Sequence, residues 1–161
     1  MKQEFKKPML YIFRGLPGSG KTTIALKLVP EKRYVDDDMF FIQNGEYRFN
    51  GKKLPKVRRQ VYKKVERMLQ EKRIDCAVAS GEYFGRKTNV KKFVNLAYRY
   101  NFMPQVIEVH SDFKNVHGVS DTEMKRIRRG FEPYITPPLK KAWYKHVLSG
   151  ILTRLSLRKF F

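Results

Sequence analysis

The sequence predicts an α/β fold in which helices cover both faces of a small parallel sheet. Three observations predict it. Short apolar runs alternate with amphipathic helical segments, a glycine-rich turn joins the first run to the first helix, and 161 residues make one compact domain. Alternating strands and helices imply crossover connections, which favour parallel strands packed between helical layers.

The elements follow in order. Met9–Phe13 is an apolar run between Pro8 and Gly15, as a buried strand should be. Lys21–Val29 reads as a helix with Ile24, Ala25 and Leu28 on one face. Tyr34-Val35 is a second short strand, ending at the acidic run Asp36-Asp37-Asp38. Between Phe41 and Pro55, the turn signals Asn44-Gly45 and Asn50-Gly51 flank Glu46–Phe49, the pattern of a small hairpin or an ordered loop. From Val57 to Lys72, Val61, Val65, Met68 and Leu69 recur at helical spacing among charges, which predicts an amphipathic surface helix. Ile74–Ala79 reads as a strand, Val90–Tyr100 as a helix and Val106–Val109 as a strand. Ser120-Asp121-Thr122-Glu123 is a capping box opening a helix that runs to about Gly130.

In residues 139–161, Trp143, Val147, Ile151 and Leu155 repeat at four-residue spacing among lysines and arginines. This basic C-terminal tail is expected to pack on the domain over Trp143–Leu148. With no internal repeat and no low-complexity tract, residues 1–161 are expected to form a single domain.

An apolar fraction of 42%, with 14% aromatic, supplies a core and excludes a disordered chain. Against 15 Asp and Glu stand 35 Lys and Arg, a formal charge of +20 that attracts polyanions such as nucleic acid. Cys76 is the only cysteine, so an intramolecular disulfide and a cysteine-rich metal cluster are excluded. Its apolar surroundings predict a buried structural thiol. The N-terminus lacks the apolar core of a signal peptide, and no run reaches the roughly 18 apolar residues of a membrane span. A soluble, intracellular protein is expected. Composition does not specify an oligomeric state.

Gly15-Leu16-Pro17-Gly18-Ser19-Gly20-Lys21-Thr22 satisfies the Walker A pattern G-x-x-x-x-G-K-[ST], with a strand before it and a helix after. The glycines let backbone N–H groups close around phosphate oxygens where a side chain would obstruct. The helix start adds its positive dipole end. Lys21 then reaches the β- and γ-phosphates, the Thr22 hydroxyl ligates Mg²⁺, and Thr23 completes the nucleotide site. ATP with Mg²⁺ is therefore expected, in a three-layer sandwich of the P-loop NTPase and kinase type.

The three aspartates after the second strand repel one another, so a basic group, Mg²⁺ or a substrate hydroxyl must offset the cost. In a parallel sheet the carboxyl ends of the strands share one edge with the glycine-rich loop. A carboxylate there can accept the proton of an attacking hydroxyl. A solvated turn or helix cap is the plainer alternative.

With these residues in place, the chain resembles the P-loop kinase family of bacteriophage polynucleotide 5′-kinase and its eukaryotic relatives, with an AAA-type ATP-binding domain. The resemblance covers roughly residues 10–133. It rests on Gly15–Thr22, on Asp37-Asp38 followed by aromatics, on Gly45-x-Tyr47-x-Phe49-Asn50 and on Asn115-x-His117-Gly118-Val119. It implies that Asp37 is the general base, supported by Asp38, and that Asn115, His117 and Gly118 belong to a lid closing over the transferring phosphoryl group. Lys114 stands where the family carries an arginine, keeping the charge without the planar fork. Arg126, on the next helix, is a candidate to compensate. His117 is expected to be a structural hydrogen-bonding residue. Ser80 stands where the family has a strand-end aspartate, leaving Glu82, two residues on, as a further candidate for the metal.

The resemblance implies an ATP-dependent kinase of 5′-hydroxyl ends of DNA or RNA. Tyr47 and Tyr83 are candidates for stacking on the substrate, and Arg86 and Lys87 for its phosphates. The alternatives are a kinase of a small metabolite or nucleoside, and an ATP- and nucleic-acid-binding protein that has lost its chemistry. Ser80 and Lys114 are the residues that favour the last.

Overall fold

The computed structural model describes residues 7–71, 73–110 and 119–135. The lid candidates Lys114, Asn115, His117 and Gly118 and the tail 139–161 lie outside the described residues.

The expected architecture is present. Strands β1 (Met9–Arg14), β2 (Tyr34–Asp36), β5 (Cys76–Ser80) and β6 (Met103–Glu108) form one parallel sheet in the order β2-β5-β1-β6. Side chains alternate across its two faces. On one face Leu10, Ile12, Val35, Cys76 and Val78 meet helix α2 (Leu54–Glu71) through Val57, Val61, Val65, Met68 and Leu69. The same face meets helix α3 (Lys87–Arg99) through Val90, Phe93, Leu96 and Ala97. On the other face Tyr11, Phe13, Tyr34, Ala77 and Ala79 meet Ala25 of helix α1 (Lys21–Leu28) and Val29 beyond it. Helix α1 presents a narrower apolar face than the sequence predicts. Ala25 is buried and Leu28 packs partly on the sheet, whereas Ile24, one residue round the helix, is 39% exposed.

Local chemistry fixes the joints. Asn44 and Gly45 both take positive φ (52° and 81°), the twist a tight hairpin needs, and they join β3 (Ile42–Gln43) to β4 (Glu46–Tyr47). The second turn signal has a different use. The Asn50 side chain accepts from the Lys52 N–H and starts the short 3₁₀ turn that leads into α2. Both α2 and α3 begin three residues before the predicted starts: α3 opens on the polar Lys87-Thr88-Asn89, and α2 on Leu54-Pro55, where a proline in the first turn reads as the end of the preceding loop. Strand β5 begins later than predicted, at Cys76. Ile74 is half exposed, and the Asp75 carboxylate accepts from the Met9 N–H at 2.9 Å. Strand β6 begins earlier than predicted and includes Pro104, tolerated because β6 is an edge strand.

The capping box opens helix α4 (Asp121–Arg129): Ser120 Oγ accepts from the Glu123 N–H at 3.3 Å. Cys76 is fully buried and burial pushes its thiol up to about 12, as a structural thiol requires. No described helix is long and apolar enough to cross a membrane.

Candidate nucleotide and phosphoryl-transfer site

Residues 15–20 run from the end of β1 to the start of α1, between the two helical layers. Gly18 and Gly20 have positive φ (77° and 86°), the left-handed conformation that turns successive amides toward one side. Gly15 is constrained by space. A Cβ there would stand 2.5 Å from the Val109 carbonyl oxygen and 2.7 Å from Ser19 Oγ. The Lys21 ammonium reaches back along the loop, donating to the carbonyls of Gly15 (3.0 Å) and Leu16 (2.8 Å). Burial lowers its pKa to about 8, against the opposing pull of Asp38, Asp36 and Asp37. Leu16 and Pro17 are half-buried and Thr22 and Thr23 exposed, so the helix start is open to a ligand. These residues fit an anionic phosphate chain: backbone amides on a glycine cradle, a helix start and one ammonium.

The three aspartates diverge, which answers how consecutive like charges are tolerated. Asp36 accepts from the Tyr34 hydroxyl at 2.6 Å and from the Met39 N–H at 3.0 Å. Asp37 Oδ2 accepts from Ser80 Oγ at 2.5 Å. Asp38 accepts from the Tyr47 hydroxyl at 2.9 Å. Asp37 Oδ1 is buried and has no hydrogen-bond partner among the described residues. Burial raises the Asp37 carboxyl to about 6, with the Ser80 hydrogen bond and the Arg58 charge pulling the other way.

Strand register explains how Asp37 and Ser80 meet. Asp36 pairs with Ala79 and Arg14 with Ser80, so the ends of β2, β5 and β1 lie side by side beneath the glycine loop. A Cβ on Gly81 would touch the Gly15 carbonyl oxygen at 3.4 Å, a measure of how closely the strand end after Ser80 packs on that loop.

The metal candidates divide. Thr22 lies exposed in the first turn of α1, its hydroxyl 3.0 Å from that of Tyr34. The Glu82 carboxylate is instead engaged by two arginines, Arg126 at 2.7 Å and Arg58 at 3.7 Å. Cations from α4 and α2 therefore compensate this carboxylate in the structure. Among the described residues no three His, Cys, Asp or Glu converge on a metal position. Arg126 bonds Glu123 as well, so it ties α4 to the segment after β5.

Tyr47 is 45% exposed, whereas Tyr83 is half-buried with the Arg58 guanidinium 4.8 Å from its ring centre. Arg86 and Lys87 are exposed at the start of α3, where the Lys87 N–H donates to Glu132.

Sequence reasoning missed Arg14. It is fully buried at the end of β1, donates to the carbonyls of Glu132 (2.6 Å) and Gly85 (3.4 Å), pairs with Glu108 at 3.4 Å and stacks on Phe131. Burial lowers its pKa. The available signal was a lone cation closing an otherwise apolar strand. Tyr34 and Asp36 were also missed as site residues, since nothing local marks a tyrosine in a short strand as a partner of Thr22.

No family model matches the sequence. Among similar proteins is an uncharacterized protein of Pasteurella multocida (strain Pm70), 26% identical over 123 residues, covering 68% of this chain and 69% of that one. Another is the human NEDD4-binding protein 2, 24% identical over 143 residues, or 81% of this chain. The match spans only 8% of the human protein's length. A solved structure from Chloroflexus aurantiacus J-10-fl, named as a provisional kinase, aligns with a TM-score of 0.48 and 20% identity, over 65% of this chain and 60% of its own.

Proposed function

We propose that this chain transfers the γ-phosphoryl group of ATP to a hydroxyl acceptor, and that the acceptor is the 5′ end of DNA or RNA. The observation that carries the reading is Asp37: a buried carboxylate, bonded to Ser80, at the sheet edge that also bears the glycine loop. A base with a pKa of about 6 is ionised at neutral pH yet retains affinity for a proton, which suits general-base work. In the reaction the acceptor oxygen bonds to the γ-phosphorus as the bond to the β–γ bridging oxygen breaks. ADP departs, and the acceptor's proton passes to Asp37.

Lys21, released from the Gly15 and Leu16 carbonyls, would hold the β- and γ-phosphates. Thr22 would hold Mg²⁺, which, when bound, neutralises charge on the phosphate oxygens. Lys114, Asn115, His117 and Gly118 are assigned to the lid, with Arg126 on the helix that follows. The charge of +20 and the exposed Arg86 and Lys87 favour a polyanionic acceptor, and the exposed Tyr47 offers a stacking surface. Ser80 argues against a chain that has lost its chemistry, because it holds the proposed base.

The test is label transfer from γ-labelled ATP with Mg²⁺ to 5′-hydroxyl DNA and RNA oligonucleotides, with Lys21→Ala and Asp37→Asn alongside. Transfer to the 5′ end, abolished by both substitutions, is expected. Transfer only to nucleosides or small alcohols would keep the kinase and replace its acceptor. ATP binding with no transfer to any hydroxyl would refute the phosphotransferase.

A further inference from the structure

Thr22, Tyr34 and Asp36 form a chain of hydrogen bonds beneath the glycine loop. Tyr34 Oη lies 3.0 Å from Thr22 Oγ1 and 2.6 Å from Asp36 Oδ2. The direction of the chain follows from chemistry. A carboxylate only accepts, so the Tyr34 proton is spent on Asp36. The tyrosine oxygen can then only accept from Thr22, so the Thr22 proton points at Tyr34. The acceptor end is pinned as well, because Asp36 Oδ1 takes the Met39 N–H at 3.0 Å.

A hydroxyl ligates a cation through its lone pairs and does so well only when its proton faces away. We infer that Tyr34 and Asp36 are positioning residues for the metal at the phosphate site, fixing the Thr22 hydroxyl with its lone pairs turned toward the cation. The inference rests on the nucleotide reading of the glycine loop given above. It assigns a task to the first aspartate of the acidic run, and it locates the carboxylate behind the P-loop hydroxyl at the end of β2, reached through a tyrosine. In P-loop NTPases an aspartate shares the metal with the P-loop hydroxyl. Here the end of β5 offers Ser80, which is committed to Asp37.

Tyr34 is fully buried among Tyr11, Phe13, Ala25 and Ala77, so its ring is held by packing. Tyr34→Phe preserves that packing and removes only the hydroxyl. Asp36→Asn preserves an acceptor for Met39, but its amide can donate to Tyr34 and reverse the chain, turning a proton toward Thr22 Oγ1.

The experiment is calorimetric titration of the full-length protein with the β,γ-imido analogue of ATP, in Mg²⁺ and in EDTA. The readout is the gain in affinity that Mg²⁺ confers. In both variants that gain should fall by roughly 10-fold or more, the usual cost of removing a ligand's orienting partner, with Mg²⁺-free affinity within about twofold of wild type. A folded Tyr34→Phe protein with the full Mg²⁺ gain would overturn the inference and leave the nucleotide reading standing. Equal losses with and without Mg²⁺ would also overturn it, since the chain would then be shaping the loop. A wild type that binds the analogue equally in Mg²⁺ and in EDTA would overturn the inference, and one that binds it in neither would defeat the underlying nucleotide reading as well. Should Tyr34→Phe not fold, Asp36→Asn decides the question, because it leaves the buried ring in place.

Discussion

Asp37→Asn should stabilise the protein at neutral pH while abolishing phosphoryl transfer. The carboxyl rises from 3.8 to about 6 on folding, chiefly through burial. The native state therefore binds this proton more tightly than the unfolded chain does. Its contribution to stability is greatest below pH 4, falls as pH rises from about 4 to 6, and is flat above that. A rise of about two pKa units corresponds to about 3 kcal/mol, the amount by which ionised Asp37 disfavours the fold at pH 7.5. Asparagine is nearly isosteric, can accept from Ser80 and carries no charge to desolvate. The variant should gain about 1–3 kcal/mol at pH 7.5, roughly 3–10 °C in melting temperature for a chain of this size, and the gain should vanish near pH 4. Urea denaturation of both proteins at pH 4.5, 6 and 7.5 measures the difference, and the other carboxylates cancel between them. A variant less stable than wild type at pH 7.5, or a gap independent of pH, would refute the argument that burial strains this carboxylate.

Two further substitutions test the neighbouring contacts. Ser80→Ala removes the hydrogen bond that favours ionised Asp37. The acid limb of kcat/KM should move up from about 6 by roughly 1–2 pH units, as loss of a bond to a charged group implies. Activity should recover at alkaline pH, and Ser80→Thr should restore the wild-type limb. Arg14→Met keeps the volume of the buried side chain but removes the donor to the Glu132 carbonyl and the ion pair with Glu108, while the Gly85 carbonyl keeps the Glu132 N–H at 2.8 Å. It should lower the unfolding free energy by about 3 kcal/mol, read as a shift of the urea midpoint.

Much of this fold was legible because its signals are local. Val57, Val61, Val65, Met68 and Leu69 mark one helical stripe, Asn44-Gly45 marks a hairpin, and Ser120 with Glu123 marks a helix start. Element boundaries were less legible where polar residues do the structural work, as in the first turn of α3. The glycine loop could be read from spacing alone, because its function depends on consecutive backbone positions. The rest of the candidate site could not. Ser80 and Asp37 are 43 positions apart, and they meet only because β5 lies between β2 and β1. Glu82 was picked out by its place two residues after Ser80, and its ion pairs could not be read from that. The arginines in them come from α2 and α4, elements whose placement no local pattern states. Arg14 was hidden for a related reason: an arginine at a strand end reads as exposed until its carbonyl partners on distant segments are known.

Cys76 has a practical consequence. It is the sole cysteine, it lies on a strand flanked on both sides, and its buried thiol is held almost entirely in the unreactive protonated form at neutral pH. A small alkylating reagent can reach it only when the centre of the sheet comes apart. Its modification rate is therefore a native-state clock for cooperative opening, readable by mass spectrometry without denaturant. Any new cysteine introduced on the surface for a fluorophore or spin label would react long before that clock advances, so the wild-type background is suited to site-specific labelling without removing a residue first.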